Sequence, residues 1–267
     1  MYSAFIILWN SHEAEIEMKD QKAHQKAANT LLKQIFTRKV KPGEKLLPLR
    51  NLSKKLAVDQ TSLRIALKQL EFMGVLEIRR SDGVYVKDYL NYAGLELLTT
   101  LFLGQDPDES IVDEYLLYEV YKFWVVILTE TLLLASKKFS PGTIKAMIEI
   151  TDCELISLKD IDKMVEYELQ LHKILTDNAD NIAFTLLFNA IAPLRRKLTE
   201  LFLKNMGKSE LLNYLLARKT LLNELMTSSP DDMEKIIREY SKRFWKVRHG
   251  VWKNGTTNEA TLYAKKE

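Results

Sequence analysis

Between Gly43 and Val86 the spacing of apolar residues changes from three-and-four to two, and few folds accommodate that change over so short a stretch. Leu49, Leu52 and Leu56 give a short helix one apolar stripe and leave Arg50, Lys54 and Lys55 outside it. Asp59 stands where a cap belongs, ahead of a second stripe at Leu63, Ala66, Leu67 and Leu70, and Gly74 falls at the C′ position of that helix. Beyond Gly74, Leu76 and Ile78 alternate with Glu77 and Arg79, and Val84 and Val86 flank Tyr85, across a turn at Ser81-Asp82-Gly83. Helix, turn, helix and hairpin in this order predict a winged helix-turn-helix.

Charge bears on what such a module meets. The outward face of the second helix carries Thr61, Arg64 and Lys68 with Ser62 at its edge, and Arg79 and Arg80 lie near the tip of the wing. Between residues 18 and 90 there are sixteen Lys and Arg against seven Asp and Glu, whereas the whole chain is only +3. The remainder is therefore acidic, and an excess of cations confined to the module with a helix-turn-helix order points to double-stranded DNA as its partner.

The same residues resemble a known family. Gly43-x-x-Leu46, Arg50-Asn51-Leu52, Val58 to Arg64, Ala66-Leu67, Gln69-Leu70-Glu71, Gly74 and Gly83-Val84-Tyr85-Val86 are similar to the N-terminal domain of the GntR family of bacterial transcription regulators. That resemblance implies operator contacts from Arg50, Thr61, Ser62, Arg64 and the wing tip at Gly83. Two positions depart from the family. Leu47 stands where it has Pro, and Gln60 where it commonly has an Arg that reads guanine. Gln pairs with adenine N6 and N7, so the expected half-site differs from the usual one. Ile65 replaces the family's Glu, and either touches a thymine methyl or packs.

The rest of the chain is long enough for a second core: 267 residues, 46% of them hydrophobic. The apolar run Ala4 to Trp9 is too short to span a bilayer, and Glu119, Lys122 and Glu130 interrupt the apolar segment from Tyr115 to Ala135, so no membrane partner is expected. Cys153 is the only cysteine, expected as a small buried apolar residue, and a cytoplasmic location is consistent with it. Residues 1–17 and 256–267 read as tails. From 89 to 255 helical periods follow one another at 93–104, 110–137, a helix capped by Ser140 with Pro141 in its first turn, 159–177, 180–206, 209–227 and from Ser229 to about Trp252. The expected fold is mainly α: a winged helix-turn-helix over 18–88, then an all-helical bundle of six or seven helices.

This second part is similar to the effector and dimerisation domain of the FadR subfamily in Gly94-Leu95-x-Leu97-Leu98, Tyr118-Glu119-Val120, Glu168-x-x-Leu171-His172 and Asn181. Many members hold a divalent metal through an acid and a His four apart plus two later His. Glu168 and His172 fit the first pair, but the later positions fall near Arg218 and near Lys242 or Arg243, where cations oppose a metal, so no metal is expected. Arg218 and Arg243 either hold an anionic ligand or are exposed or paired with Glu168 and its neighbours. Tyr121, Glu168, His172, Arg218, Ser241 and Arg243 are the candidate effector residues, with acyl-CoA or another organic anion implied by the metal-free branch of the subfamily. The expected function is a homodimeric, effector-responsive transcription regulator. The alternative, a metal- or anion-binding helical enzyme, has no nucleophile elbow, phosphate loop or zinc-hydrolase motif behind it, and only His12, His24, His172 and His249 to draw on.

Overall fold

The computed structural model describes residues 23–103, 114–229 and 232–242. Within them the chain forms two compact units, one holding 23–103 and the other 114–242. The tails, the first residues of the expected 110–137 helix, Arg243 and the end of the last expected helix lie outside the described residues.

The first unit opens on a helix that the periodicity from Gly43 onward does not announce, α1, over 23–36. Ala27, Ala28, Leu31, Leu32 and Ile35 recur at three and four and are all buried, so this helix supplies one wall of the core. α2 (Leu49–Leu56) and α3 (Gln60–Phe72) follow as expected. Ala57 takes the left-handed conformation between them, at φ 52°. The Asp59 carboxylate accepts from the Ser62 N–H at 2.8 Å, capping α3. At the other end the Gly74 N–H reaches the Glu71 carbonyl and the Val75 N–H the Leu70 carbonyl, a Schellman pair closed by Gly74 at φ +76°.

The wing is β1 (Leu76–Arg79) paired antiparallel with β2 (Gly83–Val86), Leu76 opposite Val86 and Arg79 opposite Gly83. Gly83 is thus the first residue of a strand, and the loop between the strands is Arg80, Ser81 and Asp82. Residues 43–46 add a third edge, with the Leu46 N–H donating to the Val84 carbonyl at 2.8 Å and the Val86 N–H to the Glu44 carbonyl at 2.9 Å. α4 (Tyr89–Tyr92) and α5 (Leu95–Leu103) complete the unit, so the expected helix over 93–104 starts only after Gly94.

The second unit contains α6 (Glu114–Ser136), α7 (Pro141–Ile156), α8 (Ile161–Ala179), α9 (Ile182–Ala190), α10 (Ala192–Asn205), α11 (Lys208–Thr227) and α12 (232–242). α8 lies at its centre, packed on α6, α7, α9 and α10, while α11 packs on α7. Ser140 caps α7 as expected, accepting from the Thr143 N–H. The helix expected over 180–206 is two helices, interrupted at Ile191. Pro193 is the cause: it has no N–H to give the Asn189 carbonyl and its ring would crowd it, so it sits instead in the first turn of α10. Cys153 is half-buried rather than buried. Among the described residues no helix is long and apolar enough to cross a membrane.

Candidate functional site

In the first unit α3 divides by burial. Leu63, Ala66, Leu67 and Leu70 face the core, while Gln60, Thr61, Arg64, Ile65 and Lys68 are exposed. These positions lie three and four apart, so they share one face of the first two turns. Ile65 is 48% exposed and therefore does not pack. Ser62 differs from the other members of the expected contact set: it is 3% exposed, and its hydroxyl turns back to Asp59, holding that carboxyl below its ordinary range. Its part is to fix the start of the helix. Arg50, Lys54 and Lys55 are exposed on α2, with both lysines in its last turn, where they also suit the helix dipole.

Contacts within the unit order the wing. Arg79 stacks on the Tyr85 ring at 4.1 Å and pairs with Glu77 at 2.9 Å. Lys45 pairs with Asp82 at 2.7 Å, and the Tyr85 hydroxyl donates to the other Asp82 oxygen at 2.9 Å. A side chain on Gly83 would strike Lys45 Cε at 2.5 Å, so the glycine lets Lys45 cross the hairpin. Arg80 is exposed in the loop. Lys68 pairs with Glu71, whose other oxygen accepts from the Ile78 N–H at 3.0 Å and ties α3 to the wing. The exposed cations and hydroxyls on α2, α3 and the hairpin suit a phosphate backbone and base edges.

In the second unit the structure brings Glu168, His172, Arg218 and Ser241 to one cavity of about 70 Å³. Tyr121 is not among its walls. It lies, 2% exposed, across a smaller pocket on the other side of Glu168 and His172, stacked on Phe202. Arg218 is buried between two carboxylates, donating to Glu168 at 2.8 Å and to Glu154, and Tyr214 donates to Glu168 at 2.7 Å. Of the roles that the sequence leaves open for Arg218, pairing is the one observed. Sequence reasoning missed Glu154 and Tyr214. The signal for Glu154 is its register: Ile144, Met147, Thr151 and Glu154 form the buried stripe of α7, so a fully buried carboxylate had to find a cation.

Burial sets the protonation of this cluster. It pushes Glu168 up to about 7, opposed by the Tyr214 hydroxyl, and pushes His172 down to about 3, with Arg195 adding to the effect. Arg218 falls to about 10, again through burial. His172 is therefore neutral, packed edge-on against Trp124 at 5.3 Å, and its Nδ1 is buried without a protein partner. Among the described residues no three acids, histidines or cysteines gather as a metal would require, and the Arg218 guanidinium lies against the acid that would be the first ligand.

Residues 23–86 match the model of the gntR family of bacterial regulatory proteins. The HTH-type transcriptional regulator Mce2R of Mycobacterium tuberculosis is 38% identical over 79 residues, which cover 29% of this chain and 33% of that protein. The chain thus spans about a third of the length of the curated mycobacterial relatives it matches. The fatty acid metabolism regulator protein of Edwardsiella ictaluri is 23% identical over 84% of this chain and 90% of its own. Lar, described as controlling expression of the Listeria monocytogenes agr system, has a solved structure that superimposes with a TM-score of 0.51 at 12% identity. The match covers 85% of this chain and 96% of that one, which shows a shared fold.

Proposed function

We propose, for a chain whose residues 23–86 form a gntR-family winged helix-turn-helix, that it is a transcription regulator binding double-stranded DNA through α3, α2 and the wing, and answering to a small molecule held by the second unit. The family is one of regulators, not enzymes. The observation that carries the reading is the α3 face: Gln60, Thr61, Arg64, Ile65 and Lys68 stand together in solvent on a helix whose cap, C-terminal glycine and buried stripe are all in place. The first turns of α3 would enter the major groove, with Gln60 pairing to adenine and Ile65 meeting a thymine methyl, while Lys54 and Lys55 neutralise phosphates. A homodimer would set two such helices on half-sites about one helical turn apart.

For the effector, the support is the cavity and its aliphatic walls, together with a long relative named as a fatty acid metabolism regulator. The resemblance implies acyl-CoA or another organic anion, but an anion needs a cation to meet it, and Arg218 is held by two acids. Effector binding releases or strengthens DNA binding only by preferring one arrangement of the protein over another. The test of the DNA-binding reading is Arg64→Ala on a duplex selected by the wild-type chain. It should cost about 1 to 3 kcal/mol in affinity with the fold unchanged by circular dichroism. Wild-type affinity in that variant would refute the assignment of α3.

A further inference from the structure

The walls of the second-unit cavity are chiefly aliphatic, from Val125, Leu128 and Leu132 on α6, Leu171 and Leu175 on α8, and Leu222 on α11. Polar groups gather where Glu168, His172, Tyr214 and Arg218 meet, and most pair with one another, although Arg218 Nε and one Glu154 oxygen are buried without a partner. Arg218 is spent on Glu154 and Glu168, Tyr214 on Glu168, and Ser241 on Thr129 at 3.2 Å. With two carboxylates to one guanidinium, the cluster carries no net positive charge in either protonation state of Glu168. Arg195, whose charge disfavours protonation of His172, does not line the cavity. An anion entering here would leave water for a site whose guanidinium already faces two carboxylates, which is costly. His172 is the uncharged ring of this wall: it is 4% exposed, and its Nδ1, like Arg218 Nε, has no protein partner. A neutral imidazole offers one donor and one acceptor, and a buried polar atom left unpaired favours any ligand that pairs with it.

We propose that the cavity takes an uncharged aliphatic molecule bearing one hydroxyl or carbonyl group, with the chain against the leucine walls and the polar group on His172. This ligand class rests on reading the second unit as the effector unit. It also departs from the anionic effector expected from the sequence, because the charge that would have bound an anion is neutralised within the protein.

The test is calorimetric titration of the 267-residue chain at pH 8 with 1-butanol and with butanoate, four-carbon probes matched to a cavity of about 70 Å³, repeated while following DNA affinity. Butanol should bind one per chain, and butanoate about tenfold or more weaker. His172→Phe keeps the ring and should lower butanol affinity about three- to tenfold. Butanoate binding as tightly as butanol would overturn the ligand class and leave the effector reading standing. If neither compound bound or shifted DNA affinity, both would fall.

Discussion

Arg64 and Arg218 show how surroundings assign work to the same side chain. Arg64 stands in solvent on α3 and is available to a groove, whereas Arg218 is 8% exposed and its charge is used within the protein. In the proposed contact set Gln60 is the residue expected to set sequence preference most directly. Gln60→Arg should shift preference from adenine to guanine at one position of each half-site by about 1 to 3 kcal/mol, checked by competition between duplexes differing at that base pair. Glu168 and His172 make a second residue-level prediction. Glu168, raised from 4.5 to about 7, stabilises the fold at low pH, and that stability is lost as pH rises from about 4.5 to 7. His172, lowered from 6.5 to about 3, does the reverse: its stability is present above about 6.5 and lost as pH falls toward 3. The two slopes oppose one another where they overlap. Denaturant unfolding of His172→Phe should therefore show stability falling from pH 4.5 to 7, and Glu168→Gln should show it falling below pH 6.5, each by at most about 1.4 kcal/mol per pH unit. A pH-independent Glu168→Gln would contradict the buried neutral histidine. The exposed members of the α3 face were legible in the sequence, since period alone separates Arg64 from Leu63. Ser62 was not, because its hydroxyl is used in the cap, and Glu154 was not, because a partner 64 residues away supplies its reason to be buried.

Helix α3 is specified at both ends by its own residues, and this is why its bounds could be read in advance. Asp59 caps it, and Gly74 closes it in a left-handed conformation with the Tyr92 carbonyl 2.3 Å from where a Cβ would sit. Gly74→Ala should destabilise the first unit by about 1 to 3 kcal/mol in thermal unfolding, since both the φ angle and the backbone contact resist a side chain. An unchanged melting temperature would mean that the chain after the helix shifts freely. The break at Ile191 was written in Pro193, but a strong apolar period on either side masked it. α1 is less legible because nothing in 23–36 marks a boundary, although its stripe of Ala27, Leu31 and Ile35 is regular. The third edge of the wing at 43–46 is made only of backbone hydrogen bonds, which side-chain periodicity does not report.

The chain as a whole is only +3, yet its cations are concentrated on the helix-turn-helix part, so the proposed attraction to DNA should be local and salt-sensitive. Lys54→Ala or Lys55→Ala should weaken binding to all duplexes alike and lower the slope of log affinity against log salt by about one unit. A loss confined to one sequence would assign that lysine to a base instead. The most direct test of the central claim is a selection of duplexes from a random library by the full-length chain, followed by anisotropy titration of the enriched duplex and of an unrelated one. The account predicts an enriched pseudo-palindrome with A·T pairs in each half-site, bound about a thousandfold or more tighter than the unrelated duplex. Equal affinity for the two would contradict it.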